Sequence, residues 1–425
     1  MPSARPYDVP FARRGSTLDD QELAAVTEVL RSDHPLSAGP WRTRFEAEFR
    51  AYTGTRHALS VTSGTVALEI ALGLLDLEPG DEVVVTPQTF QATIQPLLDR
   101  DVRVRFCDVD PVSLNVDPGS LASVITARTR AVILVHYGGW PAEMASILRI
   151  AREHGALVVE DCAHALGAEL DGRHPGGLAD IACWSFHTSK NITTLGEGGM
   201  LTTDRDDWAE RIDRLRNNRV DADFTAVAPP PGIEPALLAH MPYAEYVYRG
   251  TCDRHRRAGT NATLSDAAAA VGSVQLRKLD GFVARRRAIC ARLDEVAGAL
   301  PDVPIRLQRP RAGVGHAQHL YTCFVPGGQE RRRELVEALD RRGVEVQLRY
   351  FPLHLVPEWQ ARGHRRGECP VAERVWFEEH LNLPAHPGLS DAQVDRLTEA
   401  FADSLTEVYR SRPAAARAPQ VARTR

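Results

Sequence analysis

Between residues 55 and 205, runs rich in β-branched residues alternate with amphipathic stretches, and this alternation limits the possible folds more than any other feature. The runs are 82-EVVVTP-87, 102-VRVRFCDVD-110, 130-RAVILVHYGG-139, 156-ALVVEDCA-163, 181-IACWSF-186 and 198-GGMLTT-203. Between them lie helical patterns such as 66-VALEIALGLL-75 and 141-PAEMASILRIAREHG-155. Apolar runs with few polar interruptions suit strands covered on both faces, and strands separated by helices are joined in parallel. The pattern predicts an α/β fold with a mostly parallel central sheet flanked by helices. Ligands of such sheets gather at strand carboxyl ends, so polar residues that close a run are the first candidates for chemistry.

The remainder of the 425 residues leaves room for a second unit, at about 150 residues per domain. After residue 264 come a helical stretch 265–300, a strand 319-HLYTCFVP-326, a helix 329–343 and a strand 344-VEVQLRYF-351. Such runs suggest a smaller α+β domain. We expect a large domain over 15–280, a small C-terminal domain over 281–410, and a disordered tail over 411–425, where Pro, Ala and Arg have no core to bury. An insertion at 218–258 interrupts the pattern, with 229-PPPG-232 followed by 241-MPYAEYVYRGTCDRHRRAG-259, and reads as a long loop without a clear period. Its Arg249, Arg254, Arg256 and Arg257, interleaved with Tyr243, Tyr246 and Tyr248, suit closure over an anionic substrate; a solvated basic loop is the plainer reading.

Several classes are disfavoured. A net charge of −5 gives no basic surplus for nucleic acid. No run approaches the roughly 20 apolar residues of a membrane span, and the start MPSARPYDVPFARRG lacks a secretory apolar stretch, so a cytoplasmic location is expected. Seven scattered cysteines without Cys-x-x-Cys spacing support neither a disulfide framework nor a zinc site.

Of 51 basic side chains only two, Lys190 and Lys278, are lysine. Arginine keeps its proton, so amine chemistry has two candidates. Lys278 lies beside Arg277 and Asp280 in a helical pattern, as on a solvated face. Lys190, in 184-WSFHTSKNITTLGEGGM-200, follows the end of a buried strand, where desolvation lowers an amine's pKa and makes it nucleophilic. Asp161 closes another apolar run; it reads either as a turn cap or as the carboxylate partner of a buried cation such as a pyridinium. Ser63, Gly64 and Thr65 open a helix after 58-ALSVT-62, as an ordinary N-cap or as a phosphate cup. Phe90, after 86-TPQT-89, reads as core or as a platform for a flat ring. His164, three residues past Asp161, reads as a backbone-satisfied histidine or a ring-oxygen contact.

Ten segments in order extend this constellation: 36-LSAGP-40, 63-SGTVAL-68, 81-DEVVVTPQTFQAT-93, 106-FCDVDPVSLNVDP-118, 159-VEDCAHALGA-168, 185-SFHTSKNITTLGEGG-199, 259-GTN-261, 342-RGVEVQ-347, 352-PLH-354 and 369-CPVAE-373. Together they resemble the DegT/DnrJ/StrS family of pyridoxal-phosphate sugar aminotransferases, which have the fold-type I, aspartate aminotransferase-like architecture. The resemblance implies that Lys190 holds pyridoxal 5'-phosphate as a Schiff base, Asp161 pairs with the pyridine nitrogen, His164 contacts the ring hydroxyl and Phe90 stacks on the ring. It further implies that Gly64, Thr65 and Ser185 bind the phosphate, and that Asn261 reaches the phosphate of a neighbouring subunit, so that the site belongs to a homodimer.

The activity implied is transfer of an amino group from L-glutamate or L-glutamine to a keto-sugar, nucleotide-linked, in antibiotic or polysaccharide biosynthesis. A ketocyclitol of an aminoglycoside pathway is the alternative acceptor, and a non-catalytic cofactor-bound regulator is the alternative of another class. Related dehydratases carry histidine in place of the lysine, so Lys190 argues against them. Two departures bear on specificity: Thr263 stands where many members have arginine, and the segment before Gly259 is long. A nicotinamide dehydrogenase would need a Gly-x-Gly-x-x-Gly turn after the first strand, which this chain lacks.

Overall fold

A computed structural model describes residues 6–225, 234–238, 240–241 and 250–410. Its centre is a seven-stranded sheet built from β1 (His57–Val61), β2 (Glu82–Val85), β3 (Arg103–Phe106), β4 (Thr129–Val135), β5 (Leu157–Asp161), β6 (Ile181–Ser185) and β7 (Gly199–Thr203). The spatial order is β1-β7-β6-β5-β4-β2-β3. Only β7 runs against the others; the pairs from β6 to β3 are parallel.

Alternate residues of one strand enter cores on opposite faces, which explains the uninterrupted apolar runs. Val83, Val85, Ile133 and Val135 pack with Leu68, Ile70 and Leu72 of α1 (Gly64–Leu74). Val84, Val132, Leu134 and Val158 pack with Met144, Ile147 and Ile150 of α2 (Met144–Glu153). The expected α/β class and mostly parallel sheet are thus borne out.

A third core forms beside the sheet. The antiparallel strands β10 (Arg306–Leu307), β11 (Tyr321–Phe324) and β12 (His380–Leu383) are covered by α4 (Gly328–Arg341) and α5 (Asp391–Arg410). Leu335, Leu339, Leu397 and Phe401 fill the space between them. Linking the two regions is α3 (Asp266–Gly298), a 33-residue helix capped by the Ser265 side chain, which accepts from the Ala268 amide. Its first half packs with the large sheet through Leu279, Phe282 and Val283, its second with the small one through Ile289, Leu293 and Ala297. Position 280–281, where the sequence suggests a boundary, lies inside this helix.

Two segments differ from expectation. Residues 344–351 do not form a strand: Val344 bridges Val9 and Gln347 bridges Asn382, and these are isolated pairs. The Arg349 amide donates to the Asn382 side chain, which diverts this stretch from a regular ladder. The insertion is partly regular, with a two-stranded ribbon of β8 (Asp221–Thr225) and β9 (Thr251–Arg257) at its base. β9 is exposed along most of its length, so it carries none of the apolar alternation that reveals a strand. Tyr243, Tyr246, Tyr248 and Arg249, and the tail 411–425, lie outside the described residues. No helix among the described residues is long and apolar enough to cross a membrane.

Candidate active site

The carboxyl ends of β1, β2, β4, β5 and β6 lie along one edge of the sheet and there enclose a cavity of about 550 Å³, the size of a small-molecule site. After β1 the chain turns into α1. Ser63 caps this helix, its hydroxyl accepting from the Val66 amide at 3.2 Å. A side chain at Gly64 would place its Cβ 2.8 Å from Ser185 Cβ, so glycine is what lets the helix start approach the end of β6. Amides at a helix start, beside the hydroxyls of Ser63, Thr65 and Ser185, make a cup suited to a phosphate dianion.

Deeper in the cavity, Asp161 ends β5 and is buried. Its two carboxylate oxygens each take a neutral donor: the Ala163 amide at 3.0 Å and the Thr93 hydroxyl at 2.7 Å. Because Thr93 donates to Asp161, the Thr89 hydroxyl, 2.7 Å from that of Thr93, must be the donor to it. Among the described residues no cation pairs with Asp161 within 4.0 Å. A buried carboxylate without a cation is unfavourable unless a ligand brings one.

Lys190 stands on the turn after β6 and is half-buried. Loss of hydration in the cavity lowers its pKa from 10.5 to about 8; the Asp161 charge opposes the shift and the Arg349 charge adds to it. The other lysine, Lys278, is tied to Asp19 at 2.7 Å and Glu22 at 2.8 Å, and this pairing raises its pKa. Lys190 is therefore the amine with an available lone pair.

His164 is buried with its ring parallel to His319, the centroids 4.2 Å apart. Burial, reinforced by the Lys190 and Arg349 charges, holds its pKa far below 6.5 and keeps it neutral. The Gly138 amide donates to Nδ1 at 3.4 Å, which leaves the proton on Nε2, 3.3 Å from the Tyr350 hydroxyl. Phe90 is 50% exposed, and what it faces is the cavity. A large apolar ring left open on a cavity wall suits a stacking partner.

The structure brings Gly64, Thr65, Phe90, Asp161, His164, Ser185 and Lys190 to one cavity. Asn261 does not line it: the residue is exposed and bridges Asn217 through its backbone. Of the insertion's arginines, Arg256 pairs with Asp223 at 2.7 Å and Arg257 bonds the Glu69 carbonyl at 3.0 Å; neither lines the cavity, and nor does Arg254.

A family model for the DegT/DnrJ/EryC1/StrS aminotransferases matches residues 16–402. The chain belongs to this aminotransferase family. Its cofactor is pyridoxal 5'-phosphate, and the cavity fits that group: a phosphate cup, an exposed aromatic face, an uncompensated carboxylate and a free amine converge. The aminotransferase is 35% identical to the dTDP-4-dehydro-2,3,6-trideoxy-D-glucose 4-aminotransferase of Saccharopolyspora spinosa, over 90% of this chain and 94% of that one. It is 32% identical to the pleiotropic regulatory protein of Geobacillus stearothermophilus, over 91% of this chain and 95% of that one. Among solved structures it resembles the aminotransferase TlmJ of Streptoalloteichus hindustanus, with 32% identity, a TM-score of 0.80, and coverage of 94% of this chain and 100% of that one.

Among the residues of the aminotransferase's cavity that sequence reasoning missed are Thr93, Arg349 and Tyr350. Thr93 sits inside the quoted segment 81–93, but a threonine two turns from a strand carries no signal of its own. Arg349 and Tyr350 lie in the stretch read as a strand, whose apolar character hid an irregular course. The fully buried trio His136, Glu160 and Cys162, close enough to suggest a metal, is otherwise engaged. Glu160 takes the His136 ring nitrogen at 2.9 Å and three backbone amides, while the Ala142 amide occupies the other ring nitrogen.

The Thr89–Thr93–Asp161 chain leads to a prediction. In Thr93→Val the hydroxyl is lost with little change of shape, and one Asp161 oxygen loses its donor, at a cost of about 1–3 kcal/mol. We expect kcat to fall about tenfold with KM nearly unchanged, a shifted pH titration of the bound-cofactor absorbance, and recovery in Thr93→Ser.

Proposed function

We propose that this aminotransferase moves an amino group from L-glutamate or L-glutamine to a nucleotide-linked keto-sugar, yielding an amino sugar for an antibiotic or polysaccharide. The observation that carries the reading is one amine, Lys190, with a pKa near 8, in the cavity that Asp161 also lines. The name of the S. spinosa relative supports the sugar acceptor.

When bound, the cofactor supplies an electron sink conjugated to the donor's α-carbon. The roles of the chain's residues follow from their places. The α1 start, with Gly64, Thr65 and Ser185, holds the phosphate, and Phe90 covers one ring face. Asp161 keeps a proton on the pyridine nitrogen, and the neutral His164 offers its Nε2 proton to the ring oxygen. Lys190 Nζ, once free as an amine, would accept the proton leaving the donor's α-carbon and return it to the carbon of the cofactor's aldehyde group, across the donor nitrogen, acting as base and then as acid.

A homodimer belongs to the proposal, with Asn261 reaching the partner's phosphate; its exposure and its place outside the lining of its own cavity support this. So does a division into a large domain over 15–280 and a small one over 281–410, supported by the separate core around the three-stranded sheet, with α3 spanning both.

Holoprotein mixed with L-glutamate should pass from the pyridoxal to the pyridoxamine form, releasing one 2-oxoglutarate per site. A keto-sugar should then restore the starting spectrum; restoration by a ketocyclitol alone would redirect the acceptor. Failure with every amino acid would support the regulatory reading that the name of the G. stearothermophilus relative suggests.

A further inference from the structure

Behind the turn that carries Lys190 lies a second, much smaller cavity of about 10 Å³, which shares Ser189 with the first. That is room for a single water molecule. Three of the residues bordering it, Arg286, His319 and His386, are more than nine-tenths buried. Each keeps one buried nitrogen without a hydrogen-bond partner among the described residues: Arg286 Nε, His319 Nε2 and His386 Nδ1. One such atom is unfavourable, and three around one cavity point to a shared partner.

The other bonds of these side chains decide what that partner must offer. Asn191 Nδ2 donates to the Leu166 carbonyl at 2.9 Å, so its Oδ1 is the acceptor 3.0 Å from His319 Nδ1, and that ring carries its proton there. His386 Nε2 donates to the Pro10 carbonyl at 3.1 Å. Burial, with the Arg286 charge adding to it, lowers the pKa of both imidazoles and keeps them neutral. Their remaining nitrogens are therefore lone pairs. Arg286 spends its Nη atoms on carbonyls, among them Ala385 at 2.9 Å and Gly15 at 2.6 Å, which leaves its Nε–H as a donor. The partner must give two protons and accept a third. A chloride ion gives none and an ammonium ion accepts none; water does both.

We propose that Arg286 Nε, His319 Nε2 and His386 Nδ1 hold one internal water, and that this water fixes the His319 ring on which His164 rests. The two imidazoles lie parallel with centroids 4.2 Å apart, and the plane of His164 sets where its Nε2 proton points. The Asn191 bond alone would leave the His319 ring free to pivot about Nδ1; a second bond at Nε2 locks it. Arg286 and His386 do not line the active-site cavity, so they are positioning residues that act through the water, His319 and His164. The water itself is independent of the transamination reading, whereas its effect on the cofactor rests on the role of His164 given there.

Two substitutions separate the water from the other contact of the His386 ring. In His386→Gln the side-chain amide reaches the Nε2 position and keeps the donor to Pro10, but nothing stands at Nδ1; in His386→Asn an amide oxygen stands at Nδ1 and the Pro10 contact is lost. Crystal structures of the holoenzyme should show one ordered water within about 3.2 Å of all three nitrogens in wild type, the same water in His386→Asn, and none in His386→Gln. The pH titration of the bound-cofactor absorbance should move by about 0.5 unit or more in His386→Gln, with kcat down about threefold to tenfold and KM nearly unchanged; His386→Asn should move less. Wild-type density without the water, or with the three nitrogens bonded directly to protein groups, would overturn the site, and this outcome needs no variant to fold. An unmoved titration in His386→Gln, or equal shifts in both variants, would overturn the positioning role. If the wild type binds no pyridoxal phosphate, the reading of the active site fails instead, and the density still decides the water.

Discussion

Lys190→Ala should abolish transamination, lowering turnover by at least about 10⁴-fold while leaving the fold intact. General acid–base catalysis by a placed side chain is worth roughly 10²–10⁴-fold, and in the proposed mechanism the same amine also anchors the cofactor, so both roles would fail together. No other side chain can replace it, because Lys278 is clamped by Asp19 and Glu22 and the arginines keep their protons. The expected pH dependence follows from the lowered pKa of about 8. Only the neutral amine attacks an aldehyde, so apoprotein should capture pyridoxal 5'-phosphate about tenfold more slowly for each pH unit below 8 and at a constant rate above it. Stopped-flow absorbance across this range checks the profile. Borohydride reduction of the holoenzyme followed by peptide mapping should place the label on residue 190; a label elsewhere would remove the basis of the proposed mechanism.

Asp161→Asn should be the second most damaging change, lowering kcat on the order of 10²–10³-fold, the loss typical of a preorganised electrostatic partner in a water-poor site. The substitution keeps the shape and leaves an acceptor for the Thr93 hydroxyl at 2.7 Å. What it removes is the negative charge, which in the proposed mechanism keeps a proton on the ring nitrogen and which opposes the lowering of the Lys190 pKa. The apoprotein variant should therefore show a Lys190 pKa below 8, moving the cofactor-capture profile to lower pH. A variant with wild-type kcat and an unmoved profile would show that Asp161 acts only as a turn cap.

The sequence revealed most where local chemistry and burial agree. The strands read as strands because both faces are covered, and Lys190 and Asp161 stood out because charged residues closing buried runs need a reason. Phe90 was ambiguous on its own, since an aromatic after a strand serves a core or a wall equally well. What stayed hidden comes from distant contacts. The Arg349 backbone is fixed by Gln88, Tyr137, His380 and Asn382, residues widely separated along the chain. No periodicity records such a convergence, and so 344–351 looked like a strand. The ribbon strand β9 failed in the opposite way, being exposed and paired mainly through its backbone.

The shared anchorage of Arg349 has a mechanical meaning. Gln88 and Tyr137 grip its carbonyl from the seven-stranded side while His380 grips it from the three-stranded side, and the unbroken helix Asp266–Gly298 braces the same two halves. The jaws cannot part without breaking that rivet. Two chemically unlike reactants must then take turns between walls that the two sheets hold together.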